Sequence, residues 1–326
     1  MGFLGRAALA AAVLAGGLSH ADYSRAPDAA DFVQRMVEVH GFDARQVREL
    51  LGQAQRQDSI LEAIARPAEK TKPWKDYRKI FVTDARIEQG VSFWRDYAAT
   101  LERAEQTYGV PADMIVAIIG VETFYGRFRG NHRVLDALAT LGFDYPPRAP
   151  FFKRELEEYL LLVREQGFDP QAPRGSYAGA MGYGQFIPSS YRHYAVDFDG
   201  DGVVDLLENP VDAIGSVANY FRRHGWQTGR DVVIAATRGA SFDAAILQAG
   251  PKPTLDAAQL RSAGVVPARP LAADERALAV SLEAEQGEQL WLGLQNFYVI
   301  TRYNRSPLYA MAAYDLSQAL RARYPR

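Results

Sequence analysis

The chain has 326 residues, of which 48% are hydrophobic and 23% are charged, and its formal net charge at pH 7 is −2. This composition is typical of a soluble globular protein with two or three packed lobes, and it excludes disordered and fibrous classes. No concentrated basic face accompanies the near-neutral charge, so no nucleic-acid partner is expected. The absence of cysteine excludes disulfides, thiolate metal sites and a lipoprotein anchor.

The N-terminus has the pattern of a secretory signal. A short basic start ends at Arg6, an apolar run covers residues 7–18, and the small-residue pattern Ser19-His20-Ala21 follows. The run is too short to span a bilayer. We therefore expect residues 1–21 to be a cleaved signal peptide and the mature protein to begin at Asp22.

Helical periodicity dominates the first two thirds of the chain. Apolar residues recur at helical spacing from residue 28 to about 68, which predicts two or three short helices broken by Gly41. Residues 84–108 predict one long amphipathic helix. The helical pattern continues over residues 131–141 and 151–165.

The segment Asp113–Gly126, DMIVAIIGVETFYG, places a single glutamate, Glu122, near the end of an apolar helical run. Its neighbours at helical spacing include Tyr125 and Gly126, and none of these neighbours is charged. Desolvation disfavours an ionised carboxylate, so we expect the pKa of Glu122 to be raised, as in a general acid. The alternative is a glutamate at a frayed helix end that points to water.

Two polar or small-residue segments follow. Ser176–Ser190, SYAGAMGYGQFIPSS, is rich in glycine and alanine, which allow a ligand close to the backbone, while Tyr183 and Gln185 supply a ring and an amide. It contains neither a Walker motif nor G-x-G-x-x-G, so it does not predict a phosphate site. A flexible surface loop is the alternative.

Residues 197–208, DFDGDGVVDLLE, match the EF-hand calcium loop. Oxygen ligands are expected at loop positions 1, 3, 5, 7, 9 and 12, with a main-chain carbonyl at position 7 and glycine at position 6. One loop without a partner predicts a structural Ca²⁺ site rather than a sensor, and no organic cofactor is expected. An acidic solvated turn is the alternative. The positions are Asp197, Asp199, Asp201, Val203, Asp205 and Glu208.

Strand patterns appear only after Trp226. Residues 232–237 are β-branched, and residues 277–283 alternate before a Gln286-Gly287 turn into a further short run, which together predict a small β-rich insert. Helical patterns return at Phe297 and over residues 309–324.

The segment Asn296–Asn304, NFYVITRYN, is rich in rings and amides, as suits a carbohydrate cleft, although an ordinary aromatic core is an equal alternative. The five histidines lack H-E-x-x-H spacing and G-x-S-x-G is absent, so zinc and serine hydrolases lack support.

Taken together, GVETFYG, SYAGAMGYGQFIPSSY, the calcium loop, VDAIGSVANYF and NFYVITRYNRSPLYAMA resemble the lytic murein transglycosylases of the B type, in that family's order and from about residue 28 to 322. The resemblance implies a mainly α (α+β) fold with a lysozyme-like catalytic core. It also implies a periplasmic enzyme that cleaves the β-1,4 bond between N-acetylmuramic acid (MurNAc) and N-acetylglucosamine (GlcNAc) in peptidoglycan, leaving a 1,6-anhydroMurNAc end.

By motif position, the resemblance gives Glu122 the catalytic role. It implies that eight further residues contact the glycan. Some relatives close the calcium loop with a later aspartate, so Glu208 and Asp212 are both candidates. The implied substrate contacts are Tyr77, Arg148, Ser176, Gln185, Tyr220, Tyr303, Asn304 and Tyr309.

The expected organisation has an N-terminal helical region at 22–76, a catalytic core at 77–229, a β-rich insert at 230–294 and C-terminal helices at 295–326. The expected partners are glycan strands and other cell-wall synthesis or hydrolysis proteins, and the protein is expected to be a soluble monomer in the periplasm.

No second acid occurs in the cleft motifs, which favours a mechanism in which Glu122 is acid and then base and the substrate acetamido group assists. A hydrolytic muramidase and a non-catalytic peptidoglycan-binding protein remain alternatives.

Overall fold

The computed structural model describes residues 22–65 and 72–324, so the predicted signal peptide lies outside the described residues. The first three helices confirm the helical pattern predicted before residue 68. Gly41 ends the first of them in a left-handed conformation, and the side chain of Asp43 caps the start of the second. The helices are α1 (Ala29–His40), α2 (Ala44–Gln53) and α3 (Asp58–Ala65).

The prediction of a single long helix over residues 84–108 is wrong. After α4 (Trp74–Phe81), the chain forms α5 (Asp84–Asp96) and α6 (Ala98–Tyr108), which are separated at Tyr97. Tyr97 has φ −116° and ψ 24°, outside the helical region, and its N–H still bonds to the carbonyl of Phe93. No proline or glycine marks this break, so the periodicity did not reveal it.

The helix α7 (Ala112–Thr123) lies at the centre of the helical body. It packs against α5 and α6 and against two later helices, α11 (Pro210–Arg223) and α14 (Pro307–Arg323). Every residue of α7 except Glu122 is buried. A helix that is apolar on all sides is stable only inside a core, which explains why it carries so little amphipathic pattern.

The remaining helices of the body follow in chain order and pack in pairs. α8 packs on α9, and α10 packs on both α9 and α11. A two-stranded antiparallel ribbon, β1 (His132–Arg133) with β2 (Arg174–Gly175), joins the start of α8 to the glycine-rich segment. The helices are α8 (Val134–Asp144), α9 (Ala149–Gln166) and α10 (Pro188–Tyr194).

The predicted β-rich region forms a four-stranded antiparallel sheet in the order β4-β3-β6-β5. One face packs into the main core through residues such as Val233, Val280 and Leu282, and the other face covers a separate small core that includes Leu260 and Leu292. The strands are β3 (Val233–Arg238), β4 (Val265–Pro267), β5 (Leu278–Ala284) and β6 (Gly287–Gly293), with the short α12 (Ala257–Ser262) before β4.

Two helices, α13 (Gln295–Tyr303) and α14, return the chain to the helical body, and the mainly α fold with a small sheet is as predicted. α14 packs on α4, α5, α7 and α13. Within the described residues, no helix combines the length and the apolar character needed to cross a membrane.

Candidate active site

Glu122 is the one position of α7 that is not buried, and it lies one residue before the helix ends. Ile118 and Ile119, one turn earlier, are fully buried. The C-terminal end of a helix carries negative partial charge, so an ionised carboxylate is disfavoured there. The Glu122 carboxylate therefore lies between apolar side chains of α7 and the negative end of that helix.

The chain leaves α7 through three consecutive left-handed residues, Phe124, Tyr125 and Gly126, with φ values of 52°, 60° and 86°. The placement of Tyr125 and Gly126 on the helical face of Glu122 is therefore wrong, because both lie beyond the helix end. The Oγ1 of Thr123 accepts the Gly126 N–H at 2.9 Å and lies 2.9 Å from the Tyr183 carbonyl, to which it donates. Left-handed non-glycine residues are strained, and such strain clusters at functional sites.

Tyr309 is the side chain that holds Glu122. Its hydroxyl donates a hydrogen bond of 2.5 Å to Glu122 Oε1, and the residue is buried. Ser306 caps α14 by accepting the Tyr309 N–H, which fixes the start of the helix that carries the phenol. Burial first, and then the charge of Glu122, raise the pKa of Tyr309 well above its usual value, so Tyr309 stays a donor.

Tyr303 and Tyr220 are two further predicted tyrosines of this site. Their rings lie 4.8 Å apart, and their hydroxyls donate to main-chain carbonyls, Tyr303 to Gly184 at 2.5 Å and Tyr220 to Arg302 at 2.7 Å. Burial is the largest cause that raises the pKa of each, and the charge of Glu122 adds to it. The structure thus gathers Glu122 and three of the predicted tyrosines.

Tyr77 and Asn304 reach the same region. Tyr77 is buried on α4, which packs on α14, and its ring lies 5.2 Å from that of Phe81. It makes a small contribution to the raised pKa of Tyr309. Asn304 follows the end of α13, two residues before the Ser306 cap of α14, and its Oδ1 accepts the Ser306 N–H at 3.1 Å. Asn304 therefore supports the turn that positions Tyr309.

Ser176 and Gln185 belong to the glycine-rich segment and are both half-buried. Ser176 Oγ accepts the N–H groups of Ala180 at 3.1 Å and Ala178 at 3.3 Å. Gln185 is left-handed with φ 50°, and its Nε2 donates to the Gly182 carbonyl at 3.0 Å and to the Arg129 carbonyl at 3.2 Å. The amide nitrogen is thus held by the backbone, which leaves the amide oxygen for a ligand.

Arg148 stands apart from this group. It is exposed, and its guanidinium lies 4.4 Å from the centre of the Phe151 ring and 5.1 Å from that of Phe152. Both rings belong to α9, whereas Glu122 and the three tyrosines lie on α7, α11, α13 and α14. The predicted role of Arg148 in substrate contact stays a prediction.

The acidic loop brings three carboxylates together. One oxygen from each of Asp197, Asp199 and Asp212 lies within 4.8 Å of the others. Asp212 is fully buried, and its two oxygens accept the N–H groups of Phe198 at 2.7 Å and Asp205 at 2.8 Å. Burial is the main cause that raises the pKa of Asp212, and a bound cation would offset this cost.

The other candidates of the loop have different contacts. Asp201 Oδ1 accepts the N–H of Val203 at 2.8 Å, and Asp205 Oδ1 accepts that of Leu207 at 2.8 Å. Glu208 is exposed and pairs with Arg129 at 3.0 Å. Among the described residues, the carboxylate group therefore contains Asp212 and not Glu208. Carboxylate oxygens are the ligand type that Ca²⁺ takes.

Sequence reasoning missed His224. Its ring stacks on Tyr220 with centroids 4.0 Å apart, and its Nδ1 lies 2.8 Å from the Tyr220 carbonyl. Burial lowers the pKa of His224, so the neutral ring is favoured. Tyr220 on α11 and His224 at its C-cap are four residues apart, and this helical spacing is the signal that could have found the pair.

Comparison with known proteins shows which family the chain resembles. Residues 24–318 match the model of the family described as the transglycosylase SLT domain. The chain is 49% identical over 308 residues to the membrane-bound lytic murein transglycosylase B of Escherichia coli K12, covering 92% of this chain and 84% of that protein.

Solved structures show the same similarity. Catenated lytic transglycosylase SltB1 from Pseudomonas aeruginosa superposes with a TM-score of 0.88 at 52% identity, covering 93% of this chain and 100% of that one. The E. coli lytic transglycosylase Slt35 in complex with calcium gives 0.85 at 48% identity, covering 93% and 95%. P. aeruginosa SltB3 in complex with NAG-anhNAM-pentapeptide gives 0.74 at 30% identity, covering 89% and 78%. These similarities confirm the predicted lysozyme-like fold class.

Proposed function

The chain belongs to the transglycosylase SLT domain family and is a lytic murein transglycosylase that acts on peptidoglycan, and from that premise we propose how its site works. It cleaves the MurNAc-β-1,4-GlcNAc bond without adding water and leaves 1,6-anhydroMurNAc ends. The observation that carries the proposal is the half-buried Glu122 at the end of a buried helix, bonded to the Tyr309 hydroxyl at 2.5 Å. The complex of SltB3 with an anhNAM-containing ligand supports the product.

One carboxylate performs both proton transfers. Protonated Glu122 gives its proton to the leaving oxygen, which breaks the glycosidic bond, and the 2-acetamido group of the sugar stabilises the cationic centre. Ionised Glu122 then takes the proton of the C6 hydroxyl as that oxygen attacks C1. The segments Ser176–Ser190 and Asn296–Tyr309 contain no Asp or Glu that could act as the second carboxylate of an ordinary glycosidase.

Four of the predicted residues bind the glycan directly in this proposal. Tyr220, Tyr303 and Tyr309 form an aromatic wall against the sugar rings, and the amide oxygen of Gln185 accepts from a hydroxyl or acetamido N–H. Ser176 and Asn304 mainly fix the loops that shape the cleft, because their side chains bond to the backbone.

We also propose a structural Ca²⁺ held by Asp197, Asp199 and Asp212. The three carboxylates lie close enough to share one ion, and the related Slt35 has been solved with calcium. The ion would neutralise the acidic loop that leads into α11. The expected site of action is the periplasm, where peptidoglycan lies, and the N-terminal signal pattern supports export.

Mass spectrometry of muropeptides released from purified sacculi tests the function. The unsubstituted protein should release products lighter by one water molecule than the hydrolytic ones, and Glu122→Gln should release none. Reducing-end products would make the enzyme a muramidase. Full activity of Glu122→Gln would remove Glu122 from the mechanism, and binding without any product would indicate an attachment protein.

A further inference from the structure

A patch of two arginines and two phenylalanines lies beside the end of α7. We define the arginine–phenylalanine patch as Arg86, Phe124, Arg127 and Phe128. The Arg86 guanidinium lies 4.9 Å from the centre of the Phe124 ring, the Phe124 and Phe128 rings are 6.1 Å apart, and Arg127 lies 5.3 Å from the Phe128 ring. The four side chains form one continuous row, with the two rings between the two cations.

The two cations of this row have no acidic partner. Neither Arg86 nor Arg127 forms an ion pair with any acid in residues 22–65 or 72–324. Arg86 donates to the Ile80 carbonyl, but its Nε is buried without a hydrogen-bond partner. An unpaired, partly desolvated guanidinium attracts a carboxylate strongly, because Arg offers several donors in a planar fork.

The rings are held outward by the backbone. Phe128 is 63% exposed, more than any other large hydrophobic side chain among the described residues. Its N–H donates to the Thr123 carbonyl at 2.8 Å, so the strained turn fixes the position of Phe128. A single exposed ring is ordinary. Phe128 differs because its backbone is held by the turn and its ring lies beside the unpaired Arg127, as in a surface that binds a ligand.

We propose that the arginine–phenylalanine patch binds the anionic stem peptide of the glycan strand that occupies the cleft. Stem peptides hang from MurNAc and carry carboxylates beside aliphatic groups, so the arginines pair with the carboxylates and the rings cover the aliphatic parts. Phe124 lies two residues after Glu122, so the patch lies at the end of the helix that carries Glu122. This inference rests on the proposed function, because it needs a MurNAc unit next to Glu122.

The test compares two substrates for the same variants. Arg127→Ala, Arg127→Glu and Phe128→Ala change exposed side chains and are assayed on peptide-bearing glycan strands and on strands stripped of stems by an amidase. For the peptide-bearing strands we expect kcat/KM to fall about tenfold, mainly through KM, equivalent to ~1.4 kcal/mol of binding, and to fall most for Arg127→Glu. For stripped strands we expect a change of less than about twofold. Arg261→Ala and Val266→Ala, both on the exposed surface of the sheet region, are the matched controls.

The results distinguish a failure of the stem-peptide proposal from a failure of the proposed transglycosylase mechanism. Equal losses on both substrates would show that the patch contacts sugars, and unchanged kinetics on both would overturn the proposal. Variants that keep normal kinetics but lose binding to phosphatidylglycerol vesicles would assign the patch to lipid instead. Cosedimentation of the same substitutions in a Glu122→Gln background measures binding without cleavage, so a failure of the proposed chemistry does not obscure the result.

Discussion

The single carboxylate of the site is subject to opposing influences from its immediate neighbours. The apolar helix and its negative end disfavour the ionised form of Glu122, whereas the hydrogen bond from Tyr309 at 2.5 Å favours it. A group that must first give a proton and then take one works best when neither form is strongly preferred. Tyr309 can serve both steps, because its raised pKa keeps its own proton in place.

Replacing Tyr309 by Phe removes the donor and keeps the ring. We expect kcat to fall about 10- to 100-fold, since a hydrogen bond to a charged group contributes about 1.5–3 kcal/mol. Without the donor the ionised form of Glu122 is less favoured, so Glu122 keeps its proton to higher pH. The alkaline limb of the pH–kcat profile should therefore move upward. Tyr298→Phe is the control, and an unmoved limb in Tyr309→Phe would contradict the role of this bond.

A second prediction concerns the left-handed turn after Glu122. Gly126 has φ 86°, and a Cβ there would lie 2.1 Å from Tyr183 Cε1. Gly126→Ala should lower the free energy of unfolding by about 1–3 kcal/mol and reduce activity, because the turn must shift. Gly229→Ala, at φ 73° with no atom within 4 Å of its Cβ, isolates the backbone cost. Urea unfolding that gives equal losses for both variants would show that the contact with Tyr183 relaxes freely.

Among the elements, the acidic loop and α11 are joined most directly by Asp212. Its buried carboxylate lies in the first turn of α11 and accepts N–H groups from Phe198 and Asp205 in the loop. An anion at a helix N-terminus is favoured by the helix dipole, which partly offsets the cost of burial. A cation held between Asp212 and the loop aspartates would fasten the loop to the helix that carries Tyr220.

Calcium should therefore stabilise the protein through Asp212. At a calcium concentration about 100 times the Kd, the expected gain is about 2.7 kcal/mol, measured as the shift in Tm between calcium and chelator. Asp212→Asn should lose this shift, whereas Glu208→Gln should keep it, because Glu208 pairs with Arg129. A shift lost only in Glu208→Gln would restore the ordinary EF-hand closure at position 12. The difference between the two conditions is compared within each variant, so any loss of basal stability cancels.

The elements also show how far the sequence could predict this molecule. Periodicity predicted the helices before residue 68, the helical run that holds Glu122 and the strands after Trp226, but not the β1–β2 ribbon or α12. The recognised motifs named Glu122, Tyr220, Tyr303 and Tyr309, which the structure brings together. The break at Tyr97 could not be foreseen, because it depends on tertiary packing: α5 and α6 pack on different later helices, α14 and α11. The left-handed turn was missed for a similar reason, since two of its three residues are not glycine.

Across the whole molecule, the small sheet is tied to the helical body that forms the cleft. Lys75 and Lys79 on α4 pair with Glu283 and Glu285 on the β5–β6 hairpin, each at 2.6 Å. The same helix carries Tyr77, which reaches Tyr309. Because exposed ion pairs are weak, the shared apolar core rather than these pairs must supply most of the attachment.

This shared core predicts cooperative unfolding of the sheet and the cleft. Leu282 on β5 is buried in the main core, and Leu292 on β6 is buried in the small core on the opposite face. Leu282→Ala and Leu292→Ala should each lower the free energy of unfolding by about 2–5 kcal/mol. Both should shift one transition that is seen together by far-UV circular dichroism and by loss of activity, because the sheet lies between the two cores. If Leu292→Ala instead produced an earlier transition with activity retained, the sheet would unfold as an independent unit, and its apolar contacts with the helical body would contribute little to holding the cleft together.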